Sequence, residues 1–509
     1  MKHRTYLLTG LVILIIFGCR WFGPSDLYDN DQPKTVAYTV DMVDHGRWLL
    51  PIDMLGRPAT KPPMYNWIGA PVVAAGWHSE FALKLPSTLA GFVTLLLTWW
   101  VAHRAAGRVI VEGELSVLDE SRGPSVLPGA VAAIACICLV ACQMFMKLSY
   151  TARPDMVLTA FMAGGWVAAS CLFEGPSSGS EPSCRHSKRC CRGVFGLQLV
   201  LWLCVAGAAL TKGLPALLLL IYVVLGTRLI GGRWSMLWRT GIVWGLPLSL
   251  MLFGGWAYGA YLSNPDHFNQ VFMGSETLGR IGRGGPLGIV TKLWKMPAWF
   301  VARFLPWSLF AIMWVAHGVT HRPRRDWLSH PDGPSLLWLA LVVVFFSFSG
   351  GKRADYLAPA LPAVAVLASF WLVFEGRRQW GMRVWQAALI GLGVALLAAG
   401  YQLAGSAAAR EGYGGRVVHF TQDVTRITNG QPIRFEHTGY TPLQPLLGYN
   451  QPEGDADRVS GARWLVKPVD GPGAALVSEP IWVGGDQVEV RMGLYPLGQG
   501  TERREAPEP

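Results

Sequence analysis

Charge is what this sequence has least of. Of its 509 residues only 15% are Asp, Glu, Lys or Arg, against roughly 25% in soluble proteins. So thin a charge content excludes a disordered chain and a long coiled coil. Cysteine is scarce too, at nine residues, which excludes a disulfide scaffold. Acids are short even within the charged set: 33 Asp and Glu face 44 Lys and Arg, a net charge of +11. No internal repeat is visible, which speaks against a transporter built from related halves. What is present is apolar. Hydrophobic residues make up 51%, with 23 Trp, and the mean hydropathy is +0.31. Such a chain is a polytopic membrane protein. Its basic excess points to nucleic acid, acidic lipid or a phosphate-bearing substrate, and the placement of the charges decides among them.

Apolar runs of about 17–23 residues, long enough to cross a bilayer, fall at 7–23, 81–102, 128–147, 155–173, 194–211, 213–230, 240–262, 297–318, 334–349, 356–375 and 384–404. They predict about eleven spans. Residues 65–77 are apolar but short and contain Pro71, which fits an interfacial or re-entrant helix. The first run lacks a small-x-small cleavage site and is expected to be an uncleaved signal anchor. Lys2 and Arg4 place the N-terminus in the cytoplasm, and every second loop thereafter is rich in Arg and Lys, from Arg104 to Arg383. The C-terminus then lies outside. Cys136, Cys138, Cys142, Cys171 and Cys204 fall within apolar runs. Cys184, Cys190 and Cys191, near His186, lack Cys-x-x-Cys pairing and read as a reduced cytoplasmic loop rather than a metal site.

The opposite-face loops ought to be poor in basic residues. They nevertheless hold Lys34, Lys61, Arg153, Lys212, Arg280, Lys292, Lys295, Lys352 and Arg353. Basic charge there opposes insertion, so a cavity that grips an anionic head group at the outer face is the functional reading. Ordinary loop solvation and contact with lipid head groups is the bland one. Six acids lie in the first outer loop: Asp26, Asp29, Asp31, Asp41, Asp44 and Asp53. Asp31 precedes Pro33, which suits the first turn of a helix; a carboxylate fixed there can also act as a base. Pro62 and Pro63 keep Lys61 out of a helix and present it from a rigid turn. Arg153-Pro154-Asp155, Thr211-Lys212-Gly213 and Lys352-Arg353-Ala354-Asp355-Tyr356 each bring a cation to the same membrane face. Glu276 and Arg280 would share a helix face, as a simple ion pair or as part of that site.

Beyond residue 404 the hydropathy collapses. Residues 1–404, including an outer loop at 24–80, read as a transmembrane domain, and 405–509 as a small extracytoplasmic domain with sheet content. Strands are expected at Val417–Thr421, Pro432–His437, Ala462–Val466 and Val488–Leu494, with a weaker one at Ala474–Ser478. The last residues, Thr501–Pro509, read as disordered.

The order of these motifs resembles a family, the membrane glycosyltransferases that use polyprenyl-phosphate sugars, among them the aminoarabinose transferases and protein O-mannosyltransferases. The resemblance spans roughly 5–375 and rests on Asp31-Gln32-Pro33-Lys34, Gly46-Arg47-Trp48-Leu49-Leu50-Pro51, Thr60-Lys61-Pro62-Pro63, Phe81–Ser87, Ala152-Arg153-Pro154-Asp155, Leu210–Gly213, Glu276–Arg280, Leu305–Ser308 and Asp355–Pro359. It implies a mainly α, GT-C-like helical bundle in a bacterial inner membrane. The implied reaction is inverting transfer of a glycosyl group from a polyprenyl-phosphate sugar to a lipid, glycan or protein acceptor. In that scheme Asp31 is the catalytic carboxylate and Asp155 its partner. Lys61, Arg280 and Tyr356 hold the donor phosphate, with Lys212, Arg153, Lys352 and Arg353 around them. No cofactor is required. A divalent metal is at odds with Thr60 and Ser275, which stand where the family has Glu and His, and Gln32 stands where it has a second acid. Aminoarabinose transfer to lipid A is therefore a poor default. Nucleic acid has no place in this reading; membrane lipids do. The competing readings are a flippase or transporter of a lipid-linked substrate, and a non-catalytic sensor or assembly protein.

Overall fold

The computed structural model describes residues 2–23, 25–27, 31–111, 128–173, 188–270, 272, 291–323, 327–349, 351–410, 414–436, 442–449, 451, 462–469, 475–483 and 488–497. All eleven apolar runs lie on helices. Those running from the N-terminus are α1 (Lys2–Trp21), α2 (Asp31–Asp44), α3 (Met64–Ala74), α4 (Glu80–Val111), α5 (Pro128–Val140), α6 (Gln143–Leu148), α7 (Asp155–Phe173), α8 (Lys188–Lys212), α9 (Leu217–Leu229), α10 (Met236–Arg239) and α11 (Ile242–Ser263). Helices Lys295–Arg303, Trp307–His321 and Gly333–Ser347, the stretch Ala354–Trp380, and Val384–Arg410 follow. Among the described residues, seven helices are long and apolar enough to cross a membrane. With three shorter apolar helices and one bent pair they form a multi-pass bundle.

Burial separates centre from rim. The apolar windows of Ala354–Trp380 and α7 are 100% and 89% buried, while those of α11 and Val384–Ala404 are 17% and 28% buried. Lipid tails are as apolar as the bundle interior, so central and rim helices alike are apolar all round, and the rim helices turn Leu, Met and Tyr to lipid. Leu250, Met251, Leu397 and Tyr401 are exposed in this way. Small residues let helices meet closely. The indole of Trp202 lies against Gly245, where a Cβ would come within 1.9 Å of it, and Trp202 donates to the Thr240 carbonyl at 2.8 Å.

Two expected single spans are broken. The run at 128–147 divides at Ala141–Cys142 into α5 and α6, with Cys142 extended. The run at 297–318 turns by 112° between Lys295–Arg303 and Trp307–His321, where Pro306 has no N–H to continue the ladder. Residues 64–74 form the short helix α3, with Pro71 inside it.

Residues 414–497 build a small unit around their own core of Val417, Phe420, Val424, Ile433, Phe435, Val466, Met492 and Leu494. Its sheet has the order β1-β2-β4-β3, from β1 (Ile433–Phe435), β2 (Trp464–Pro468), β3 (Val477–Val483) and β4 (Val488–Pro496), with only β1 and β2 parallel. The strand expected at Val417–Thr421 is a correction: the segment lies in helix Gly414–Thr428. Val417, Phe420 and Val424 recur at three- and four-residue steps and are buried on one face, a helical period that five residues alone do not reveal. This unit touches α2 through helix Leu443–Leu446, on the side of the bundle that carries Asp31.

Candidate active site

The six acids of the first loop have different environments. Asp26 closes a buried ion cluster at the end of α1 and the start of α4. It pairs with Arg20 at 2.8 Å and with Lys84, which also meets Glu80 at 2.5 Å. Burial opposes ionisation of Asp26, but Lys84 and Arg20 hold its carboxyl well below the usual range. Asp41 is fully buried, takes Arg47 at 2.8 Å and accepts the Ile52 amide at 2.8 Å. Asp53 folds its own turn by accepting the amides of Leu55 and Arg57, at 3.0 and 2.9 Å. Desolvation raises the pKa of Asp44. Asp29 lies outside the described residues. Of the described acids in this loop, Asp31 alone lines a recess together with Lys61.

Asp31 opens α2, where the helix dipole favours a carboxylate. Asn66 fixes α2 on α3 by donating to the Thr35 carbonyl and the Thr39 hydroxyl, both at 2.8 Å. The loop before α7 is stapled down as well. Ser87 donates to the Thr151 carbonyl at 2.6 Å, and the Ala152 amide donates to Gln32 at 2.8 Å. The other end of the Gln32 amide donates to the Asp26 carbonyl at 2.6 Å. Gln32 thus ties the chain beside Asp31 to the chain beside Arg153. Gln32→Ala removes both bonds and is expected to cost about 1–3 kcal/mol of stability; an unchanged thermal unfolding midpoint would contradict this.

Arg153, largely buried, stands among three carboxylates. Its guanidinium lies 3.2 Å from Asp355, 3.5 Å from Asp31 and 3.6 Å from Asp155. Asp155 begins α7 and takes Lys212 at 2.6 Å. Lys212 ends α8, and Gly213 follows with φ of +70°, a turn that suits only glycine at this tight connection. The Lys212 ammonium is 5.1 Å from the centre of the Tyr356 ring. Arg353, exposed, reaches Asp31 at 3.3 Å. Burial pushes the Asp31 pKa up, but Lys61, Arg153 and Arg353 together bring it below the usual carboxylate value. Lys61 itself forms no ion pair or hydrogen bond among the described residues. Burial and the neighbouring Lys212 lower its pKa to about 8, against the pull of Asp31 and Asp155.

Two recesses meet at Thr60-Lys61-Pro62. The smaller contains Asp31, Lys34, Asn66 and Pro154. The larger, about 510 Å³, has Thr60, Lys61, Asp155, Lys212, Ser349, Asp355 and Tyr356 as its polar residues. Its walls are apolar side chains of α7, α9, α11 and Gly333–Ser347, including Leu158, Ile221, Phe253 and Phe346. An amphiphile with an anionic head and a hydrocarbon tail matches this lining.

Of the residues singled out in the sequence, Asp31, Asp155, Lys61, Arg153, Lys212, Tyr356 and Arg353 gather here. Lys352 instead donates to the carbonyls of Ser347 and Ser349, at 2.6 and 3.0 Å, and caps a helix end. Arg280, with Glu276 and Ser275, lies outside the described residues, as do Cys184 and His186. Asp355 and Gln32 were not foreseen as parts of the site. The signal for Asp355 was its place between Arg353 and Tyr356; nothing in the sequence marks the Gln32 clamp. Among the described residues no group of three or more His, Cys, Asp or Glu is placed to hold a metal ion.

The helical bundle with its small sheet unit has the fold of the GT-C-like membrane glycosyltransferases. A crystal structure of ArnT from Cupriavidus metallidurans bound to undecaprenyl phosphate matches with a TM-score of 0.66 at 16% identity, covering 96% of this chain and 97% of that one. The archaeal oligosaccharyltransferase AglB from Archaeoglobus fulgidus, in complex with an inhibitory peptide and a dolichol-phosphate, matches with a TM-score of 0.50 at 12% identity, over 92% of this chain and 69% of that one.

In sequence the chain is similar to undecaprenyl phosphate-α-4-amino-4-deoxy-L-arabinose arabinosyl transferases. The protein of that name from Shewanella sediminis is 25% identical over 375 residues, 71% of this chain and 59% of its own length. That from Pseudomonas paraeruginosa is 26% identical over 395 residues, 77% of this chain and 64% of its own. The chain thus spans about three fifths of the length of the curated relatives it matches. No family model matches. The apolar helices and these bacterial relatives mark a multi-pass inner-membrane protein.

Proposed function

We propose that this protein transfers a glycosyl group from a polyprenyl-phosphate-linked sugar to an acceptor at the outer face of the inner membrane. The observation that carries the proposal is the junction at Thr60-Lys61-Pro62, where an apolar cavity holding an ammonium with no ion pair among the described residues adjoins the recess of Asp31. The hydrocarbon tail lies against the apolar walls and the phosphate on Lys61. Asp31 takes the proton of the acceptor hydroxyl as its oxygen attacks the anomeric carbon from the face opposite the phosphate. One displacement inverts the sugar. The leaving lipid phosphate gains charge as the bond breaks, and Lys61 stabilises it there, with the Tyr356 hydroxyl as a donor. Arg280 belongs to the same proposal as an outer cation, whereas Lys352, engaged with the Ser347 and Ser349 carbonyls, does not.

The low proton affinity of the free Asp31 keeps it ionised, which a base requires, yet weakens it as a base. The bound phosphate offsets this. Its negative charge counters the field of Lys61 and returns proton affinity to Asp31 when substrate is present. Asp155, ionised between Arg153 and Lys212, holds Arg153 in place rather than taking the proton. The sheet unit, which touches α2 through Leu443–Leu446, contacts the acceptor in this proposal, and the N-terminus lies in the cytoplasm.

Donor binding should depend on the charge of Lys61. The amine is protonated below its pKa of about 8, so affinity for undecaprenyl phosphate is expected to hold at neutral pH. It should decline as pH rises through 8–9, well before an ordinary lysine would titrate. Lys61→Ala should lower affinity at neutral pH and flatten the profile. Titrations from pH 6.5 to 10 with an unchanged dissociation constant in the native chain would remove Lys61 from the phosphate site.

A further inference from the structure

The charges that line the two recesses, and the flanking arginines that reach them, can be matched one against another. Asp155 is taken by Lys212 at 2.6 Å, Asp355 by Arg153 at 3.2 Å, and Asp31 by Arg353 at 3.3 Å and Arg153 at 3.5 Å. Lys34 faces Asp53 at 3.8 Å. Each carboxylate lining either recess thus already faces a cation, while Lys61 has no ion-pair partner among the described residues. Among the described residues, and with the Lys34–Asp53 pair set aside, the lining cations Lys61 and Lys212 together with the flanking Arg153 and Arg353 exceed the three lining carboxylates (Asp31, Asp155, Asp355) by one positive charge.

A sugar joined to a polyprenyl phosphate is a phosphodiester and carries a single negative charge. It balances Lys61 as it stands. An amino sugar on the same phosphate brings an ammonium as well. That group would enter a space already holding Lys61, Lys212 and Arg153, where each described carboxylate lining the recesses already faces a cation, and a desolvated cation without a partner is costly. We infer that the donor sugar of this protein is uncharged, a neutral hexose or pentose, unlike the aminodeoxy sugar in the names of its relatives. The inference rests on the transferase reading above and names its substrate class.

Thr60 is the residue that sets this preference. With Lys61 and Pro62 it lines both recesses, so it stands between the phosphate and Asp31, where the sugar must lie. Its hydroxyl has no hydrogen-bond partner among the described residues and can both donate to and accept from a sugar hydroxyl. A carboxylate at this position would supply the counter-charge that an aminodeoxy sugar needs; threonine does not.

The test is binding to the full chain in lipid nanodiscs of three probes: undecaprenyl phosphate, its glucosyl ester and its 4-amino-4-deoxyarabinosyl ester. The glucosyl ester should bind at least about tenfold more tightly than the amino sugar ester, the effect of about one unpaired cation. Thr60→Glu should narrow or reverse that ratio, and Thr60→Ser should keep it. Equal or tighter binding of the amino sugar ester by the native chain overturns the inference, whether or not Thr60→Glu folds. An unchanged ratio in folded Thr60→Glu overturns the role given to Thr60. Failure of undecaprenyl phosphate itself to bind overturns the transferase reading instead.

Discussion

Asp31→Asn is expected to lower glycosyl transfer by about 10²–10⁴-fold, the range over which a positioned general base acts. The substitution keeps the size of the side chain and its place in the first turn of α2, so insertion and folding should be normal. Its effect should fall on turnover rather than on donor affinity, because the phosphate is held by Lys61 in the adjoining cavity. Loss of the Asp31 charge also removes one partner of Arg153 and Arg353. If anything, then, donor affinity should rise slightly as those cations become freer to meet the phosphate. Steady-state kinetics with a labelled donor separate the two effects. Full turnover in the variant would strip Asp31 of its role and shift it to Asp155 or Asp355, the two carboxylates that line the larger cavity, each with a cation partner.

Arg153→Ala should be the most damaging single change to the site's structure. The side chain is only 11% exposed and serves Asp31, Asp155 and Asp355 at once. Its removal leaves the buried Asp155 and the partly exposed Asp31 and Asp355 with Lys212 and Arg353 as their remaining ion-pair partners. Breaking a buried ion pair from one side costs about 3–5 kcal/mol, and the expected result is a marked fall in the thermal unfolding midpoint. Arg153→Lys should recover only part of it. One ammonium is a compact point charge, whereas the planar guanidinium fork meets several carboxylates together. A midpoint equal to that of the native chain in Arg153→Ala would mean that the three acids are neutralised by something other than this arginine.

How far the sequence anticipates the structure follows from the range over which each signal acts. The eleven apolar runs are local and long, and every one lies on a helix. Where two of them break, the 112° turn at Leu305–Pro306 carries a local mark in its proline, while the break at Ala141–Cys142 carries none. Val417–Thr421 was too short a window to separate a period of two from one of 3.6; Val424, three residues beyond it, completes the helical stripe.

The site was harder to read, because nothing local distinguishes one loop acid from another. Asp26, Asp41 and Asp53 look like Asp31 in sequence. Only the positions of Lys84, Arg47 and the Leu55 amide show that they are committed to structure. Motif order singled out Asp31, Lys61, Asp155 and Tyr356. It also suggested Lys352, whose amine is engaged with helix-end carbonyls. Gln32 is the clearest case of what a sequence hides. It reads as the loss of an acid, and in the fold its amide donates with one end and accepts with the other, which a carboxylate cannot do.

The central claim is that a glycosidic bond is broken at this site. It is tested most directly by following a radiolabelled glucosyl undecaprenyl phosphate in liposomes that contain the full chain and a cell-envelope extract from a strain lacking the gene. The account predicts that label leaves the lipid donor and appears in an acceptor fraction, in step with release of undecaprenyl phosphate, and that Asp31→Asn slows both by about 10²–10⁴-fold. Label that crosses the bilayer while still joined to its lipid phosphate would contradict it and mark a transporter instead.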